Sequence, residues 1–203
     1  MLELTQMQYS AISNTKSNLA KVLSLRKAFY KDKNLYNDDE LWGDNDDKSV
    51  HIVACNEDGA YIAAVTLVME TPLPVETFLN IDYFKKDTSL CEIKKLVISD
   101  GVGLQKKDIL IQLLREMCRQ IISRHIDRMI IAVSERMKRN LTPYRNVGFE
   151  KLGSYYHPML GETTVESLDF RKAEKGVFSV EKLQQALQQR LVDSSGSNSN
   201  YGQ

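Results

Sequence analysis

Cysteine is scarce. Cys55, Cys91 and Cys118 are the only three in 203 residues. An odd number without metal-type spacing argues against a disulfide framework or a zinc cluster, and points to reduced thiols. An excess of one charge sign is also lacking, since 27 basic residues balance 27 acidic ones. The basic surplus of a nucleic-acid binder is therefore missing, and no nucleic-acid partner is expected. No apolar run is long enough to span a bilayer. Met1 to Gln6 lacks the basic and apolar regions of a secretion signal. The expectation is a cytoplasmic protein whose membrane contact is at most peripheral. His51, His125 and His157 are scattered and make no triad with a serine or cysteine. The acidic run Asp44 to Asp47 lacks the EF-hand pattern and its closing glutamate, so no metal site is expected.

What is present reads as one domain over residues 1–192 and a flexible polar tail over 193–203. An apolar content of 42% and a charged content of 27% suit a chain with a real core. Leu19, Val22, Leu23, Arg26, Phe29 and Tyr30 share helical spacing, which predicts a helix from about Asn14 to Lys31. Asn14 or Thr15 is available to cap it. Val50–Cys55 and Tyr61–Met69 flank Asn56-Glu-Asp-Gly59 and predict a hairpin. Val75 to Phe84 reads as a short helix or an irregular lid. Glu92–Ser99 reads as a strand and Lys107–Ser123 as a long amphipathic helix with Ile109, Leu110, Leu113, Leu114, Met117, Ile121 and Ile122 in its buried stripe. Arg128–Ser134 reads as a strand parallel to the Glu92 strand, because a helix joins the two. A helix from Arg136 to Asn146, strands Glu150–Tyr156 and Thr164–Phe170, and a helix starting at Ser179 complete the order. The fold class is α/β (α+β), a central mixed and mostly antiparallel sheet flanked by helices.

Two segments carry the chemistry. One is Cys91-Glu-Ile-Lys-Lys-Leu-Val-Ile-Ser99, a strand running into a polar loop and a helix. The other is Tyr144-Arg-Asn-Val-Gly-Phe-Glu150. Cys91 beside Glu92 invites a nucleophile reading, but a free cysteine mostly behaves as a small buried hydrophobe.

The chain resembles the GNAT superfamily of acyltransferases over roughly Ala11 to Phe170, in the order of its elements and in Tyr144-x-x-x-Gly148-Phe149-Glu150. Its N-terminal half is similar to the branch holding the autoinducer synthases and the long-chain N-acyl amino acid synthases. Arg26 and Phe29 lie on the first helix there, an acidic loop with Trp42, Asp44, Asp46 and Asp47 follows, and Glu92-Ile-Lys-Lys95 stands where the branch has Glu-x-Ser-Arg. Lys94 and Lys95 replace that Ser and Arg, and Thr66 replaces an arginine on the hairpin strand. These departures suit an N-acyl amino acid synthase better than a lactone synthase.

The resemblance implies transfer of a long-chain acyl group from an acyl carrier protein thioester to the α-amine of an amino acid, with tyrosine one candidate. An acyl-homoserine lactone synthase and an acetyl-CoA-dependent N-acetyltransferase are the alternatives. No tightly bound cofactor is implied; the donor is acyl-phosphopantetheine on the carrier protein, or CoA. Glu92 would be the base, or else a strand carboxylate paired with Lys94 or Lys95. Tyr144 would be the acid for the leaving thiolate, or else a core tyrosine. Backbone N–H groups at Leu96, Val97 and Ile98 would bind the thioester oxygen if the sheet splays there. Lys106 and Lys107, at a helix start, suit the pantetheine phosphate, or else a solvated loop. Arg26, with Phe29 and Trp42 nearby, would bind the acceptor by clamping its carboxylate, or else snorkel to the surface. Trp42, Phe78, Leu79, Tyr83 and Phe84 would line an acyl tunnel, or else be core. Arg115, Arg119, Arg124 and Arg128 add positive charge that would steer an acidic carrier protein.

Overall fold

A computed structural model of the chain describes residues 7–32, 46–70, 72–79, 89–134, 149–158 and 160–171. Within them the elements run β1 (Gln8–Ile12), α1 (Lys16–Asp32), β2 (Val50–Cys55), β3 (Tyr61–Val68), α2 (Pro74–Leu79), β4 (Leu90–Ile98), a 3-10 turn (Asp100–Gln105), α3 (Lys106–Ser123), β5 (Arg128–Ser134), β6 (Glu150–His157) and β7 (Gly161–Asp169). The strands form one seven-stranded sheet in the order β1-β2-β3-β4-β5-β7-β6. Every described pairing is antiparallel except β4 with β5. That parallel step is the one the intervening helix α3 requires.

Alternation along the strands sorts the side chains onto two faces. On one face lie Ile52, Ala54, Ala63, Val65, Leu67 and Cys91, covered by Ile109, Leu113, Met117 and Ile121 of α3. Of the predicted stripe those four are buried, Leu110 and Leu114 are partly buried and Ile122 is half exposed. On the opposite face α1 seats Val22 against Val53, Ala64 and Val97. Farther along the same face, Leu73 and Val75 at the start of α2 pack on Val68, Leu90, Ile130 and Val165. Thr66 lies between Ala64 and Val68 on β3, and so between the two helices.

Strand β1 was not expected. Gln8-Tyr-Ser-Ala-Ile12 has little β-branched content and pairs on one side only, with β2. Neighbouring backbone, rather than propensity, makes it a strand. Val75 to Phe84 resolves into the short helix α2 as far as Leu79. Thr15 caps α1, its Oγ1 accepting the Asn18 N–H at 3.2 Å. Asn14 instead donates to the carbonyls of Asp47 (2.8 Å) and Ser49 (2.7 Å), tying the end of the acidic loop to the start of α1. The predicted helices at 136–146 and from Ser179, and the tail, lie outside the described residues. Among the described residues no helix is long and apolar enough to cross a membrane.

Candidate active site

Strands β4 and β5 are paired only from Leu90↔Arg128 to Ile93↔Ile131. Beyond that point β4 continues to Ile98 against β3, and β5 continues to Ser134 against β7. The two central strands therefore diverge and open a cleft in the middle of the sheet. A bulge in β4 accompanies the opening. The register with β3 passes from Thr66↔Lys94 to Ala64↔Val97, so Lys95 and Leu96 together face Val65. Lys95 holds φ 54, a conformation that costs a non-glycine residue and recurs at functional sites.

Beside the bulge is a buried polar cluster. Arg26 is 0% exposed. Its Nη1 donates to Asp46 Oδ2 at 2.8 Å and its Nη2 to Asp46 Oδ1 at 3.3 Å. Nη2 also donates to Thr66 Oγ1 at 2.5 Å. Lys95 Nζ reaches the same Asp46 Oδ2 at 2.7 Å. His51 lies directly opposite Thr66 across the hairpin, with Nδ1 3.0 Å from Thr66 Oγ1 and Nε2 2.7 Å from the Asp46 carbonyl. Burial pushes the Asp46 carboxyl up, but the Arg26 and Lys95 charges outweigh it and hold the acid below its ordinary value. Burial, with Arg26 close by, pulls Lys95 down to about 8 despite Asp46. Burial likewise lowers His51.

Glu92 stands opposite Val68 on β3, two residues along from Thr66 and so about 7 Å from the cluster on the same face. It is 2% exposed. Its Oε2 accepts the Val75 N–H of α2 at 2.8 Å, and burial raises its pKa above the ordinary glutamate value. Tyr155 of β6 sits on this face too, stacked on Phe78 of α2 with ring centroids 4.8 Å apart. Burial first, and the Glu92 charge second, push its phenol up to about 12. A neutral phenol that feels the Glu92 charge is a donor the sequence reading missed. The alternation of β6 was its one signal, and a bulge near Gly153 obscures that alternation.

The arrangement of the chain as a whole is similar to that of solved acyltransferases. FeeM, an N-acyl amino acid synthase from uncultured soil microbes, superposes with a TM-score of 0.69 at 12% identity, over 85% of this chain and 94% of its own. The AHL synthase LasI does so at 0.62 and 13% identity, over 81% and 90%. An acetyltransferase of the GNAT family from Staphylococcus aureus MU50 gives 0.53 at 13% identity, over 80% and 99%. The chain has the GNAT fold. No protein-family model matches the sequence, and no curated protein matches it by sequence.

Within the GNAT fold the predicted residues separate into groups. Glu92 lies on the paired stretch of β4, opposite Ile130 and just short of the opening, and Leu96–Ile98 lie past it. Val97 is buried under α1, while Leu96 and Ile98 pack toward α3, so the backbone of this segment, not its side chains, borders the opening. The expectation that Arg26 offers an open clamp is corrected. Its Nη atoms are engaged by Asp46 and Thr66 inside the fold, because a buried guanidinium needs a carboxylate at hand. Phe29 meets Tyr30 edge to face at 5.4 Å and packs, partly buried, against the α1 core. Lys106 is paired with Asp100, and Lys107 is exposed on the first turn of α3. Burial drives the thiols of Cys91 and Cys118 up to about 12, which keeps both protonated and inert. Leu79 packs beside Leu152 and Tyr155, whereas Phe78 is half exposed. Trp42, Tyr83, Phe84, Tyr144 and Gly148 lie outside the described residues.

Proposed function

We propose that this protein is an N-acyltransferase that moves a long-chain fatty acyl group from an acyl carrier protein thioester to the α-amine of an amino acid. The observation that carries this reading is the meeting of the β4–β5 opening, the buried Glu92 carboxyl and the Asp46–Lys95 cluster on one face of a GNAT fold. The thioester lies in the opening with its carbonyl oxygen toward the backbone N–H groups of Leu96–Ile98. The acceptor enters from the α1–α2 side, its carboxylate toward Lys95. Glu92 takes a proton from the acceptor's ammonium, directly or through a water. The amine nitrogen attacks the carbonyl carbon, the C–S bond breaks, the thiolate leaves with a proton from Tyr144, and the second proton on the nitrogen passes to the phenolate, directly or through a water. The products are an amide and free phosphopantetheine thiol. A carrier-protein donor would make this a cytoplasmic reaction.

The turn before α3 favours a carrier protein over CoA. Asp100 neutralises Lys106, and Asp108 adds a carboxylate to the first helical turn. Two acids at the end that would receive a diphosphate oppose it. A single phosphate, tethered to a docked protein, asks less of that turn. Leu104 is 101% exposed at its tip, next to Gly103, whose φ of 53 turns the chain outward. We expect Leu104→Asp to raise KM for acyl carrier protein roughly tenfold, the loss of about 1.4 kcal/mol of contact, with no change for a free acyl-pantetheine thioester. An equal rise for both donors in steady-state assays would remove the carrier protein from this surface.

The decisive assay offers a panel of acyl carrier protein thioesters and amino acids and reads N-acyl products by mass spectrometry. N-acyl amino acids are the expected products, with tyrosine among the acceptors tried. A lactone formed from S-adenosylmethionine, or turnover of acetyl-CoA alone, would overturn the proposal.

A further inference from the structure

The hydrogen bonds around Asp46 close into a ring, and the ring has a fixed direction. A carbonyl only accepts, so His51 Nε2 carries the hydrogen that points at the Asp46 carbonyl, 2.7 Å away. Nδ1 of the neutral ring is then an acceptor, and Thr66 Oγ1, 3.0 Å away, donates its hydroxyl hydrogen to it. The same hydroxyl oxygen accepts from Arg26 Nη2. Arg26 Nη1 returns the chain to Asp46, at its carboxylate. Asp46 is thus gripped at both its backbone and its side chain, and the oxygen that closes the ring, Oδ2, is the one that Lys95 Nζ touches.

We propose that His51 and Thr66 are positioning residues for the acceptor side of the cleft, holding Asp46, and through it Lys95 at the β4 bulge, in place only while His51 is neutral. This rests on the acyltransferase reading for its role in turnover, but not for its physical content. Adding a proton to Nδ1 reverses the bond to Thr66, removes the acceptor of the hydroxyl hydrogen and sets a third cation beside Arg26 and Lys95. Among the described residues the charged groups facing His51 are Asp46 from the loop, Arg26 from α1 and Lys95 from β4, and two of these three repel an imidazolium. Two β-strand positions face to face in register, His51↔Thr66, thereby make the acceptor site acid-sensitive.

The test uses the full chain and needs no substrate. Long-range proton–nitrogen NMR of the free protein should show the Nε2–H tautomer at His51. Its titration should fall below the ordinary histidine value of about 6.5. Carbon-13 NMR of the lysine side chains should place the Lys95 midpoint near 8. Thr66→Val should move that midpoint upward by at least about half a unit, as the loosened pocket admits water, while Thr66→Ser should leave it in place. A hydroxyl that merely fills space would destabilise the Val variant without moving Lys95. The Nδ1–H tautomer, a His51 titration near 6.5, or a Lys95 midpoint indifferent to Thr66→Val would each overturn the proposal. If Thr66→Val does not fold, the tautomer and titration of the unaltered protein still decide it. Absence of acyl transfer by the unaltered protein would sink the enzyme reading and leave these NMR results standing.

Discussion

Asp46→Ala is expected to cost about 3–5 kcal/mol of stability, because it leaves two buried cations without the carboxylate that holds them. For a domain of this size that is a fall in melting temperature of roughly 10 °C or more. Asp46 is 3% exposed and bound by Arg26 and Lys95, so neither water nor a neighbouring acid of the described cluster can take its place. Urea denaturation monitored by circular dichroism measures the loss. The control is Lys48→Ala. It breaks an ion pair with Glu70 that is 59% and 45% exposed, and should leave the midpoint where it was. The pH dependence has a defined sign. The folded-state pKa of Asp46 lies below its ordinary value, so its contribution is fully present above the unfolded carboxyl pKa and is lost as pH falls through the folded one. Asp46→Ala should therefore flatten part of the acid limb of the stability curve. A variant as stable as the parent at pH 7 would show that the cluster is not what fastens the loop to α1.

Glu92→Gln is expected to lower the rate of acyl transfer by about 100- to 10,000-fold, the usual worth of a positioned general base, while keeping the fold. The amide oxygen of glutamine can still accept the Val75 N–H, so the tether between β4 and α2 survives. Stability should even improve at neutral pH. The Glu92 pKa is raised by burial, so the group's favourable contribution belongs to the low-pH side and is lost as pH rises through the folded value. Gln carries no such loss. In the parent, kcat/KM should climb with pH as Glu92 deprotonates, and the variant should lack that limb. Single-turnover rates of the parent and Glu92→Gln with a saturating acyl thioester separate the chemical step from any change in binding. Retention of most of the parent's activity would assign Glu92 to the structure alone, as the anchor of α2.

Much of this arrangement can be read from the chain. The strands Val50–Cys55 and Arg128–Ser134 begin and end where their β-rich runs do, and α3 buries most of the stripe its 3.6-residue period marks. These are local patterns, and local patterning is what a linear sequence displays best. Strand β1 escaped because it is a strand by virtue of its partner. Arg26 stood out as an arginine in apolar company, and it is indeed buried. Its partner was not legible, because Asp46 is one of several acids in a run and only the path of the loop selects it. Tyr155 escaped for the same kind of reason. It reaches the Glu92 side of the sheet across two intervening strands, guided by a bulge.

By itself the sequence determined the class of fold, the parallel step between β4 and β5, and Glu92 as an acid inside an apolar strand. Each follows from hydrophobic periodicity and from the length a crossover needs. The tertiary structure alone decided where those strands part, that Lys95 bends the chain at positive φ, and that His51, Thr66, Arg26 and Asp46 close a ring. Those are matters of register and of distance between residues 5 to 49 positions apart. A carboxylate selects its cation by proximity, and proximity of that kind exists only once the chain has folded.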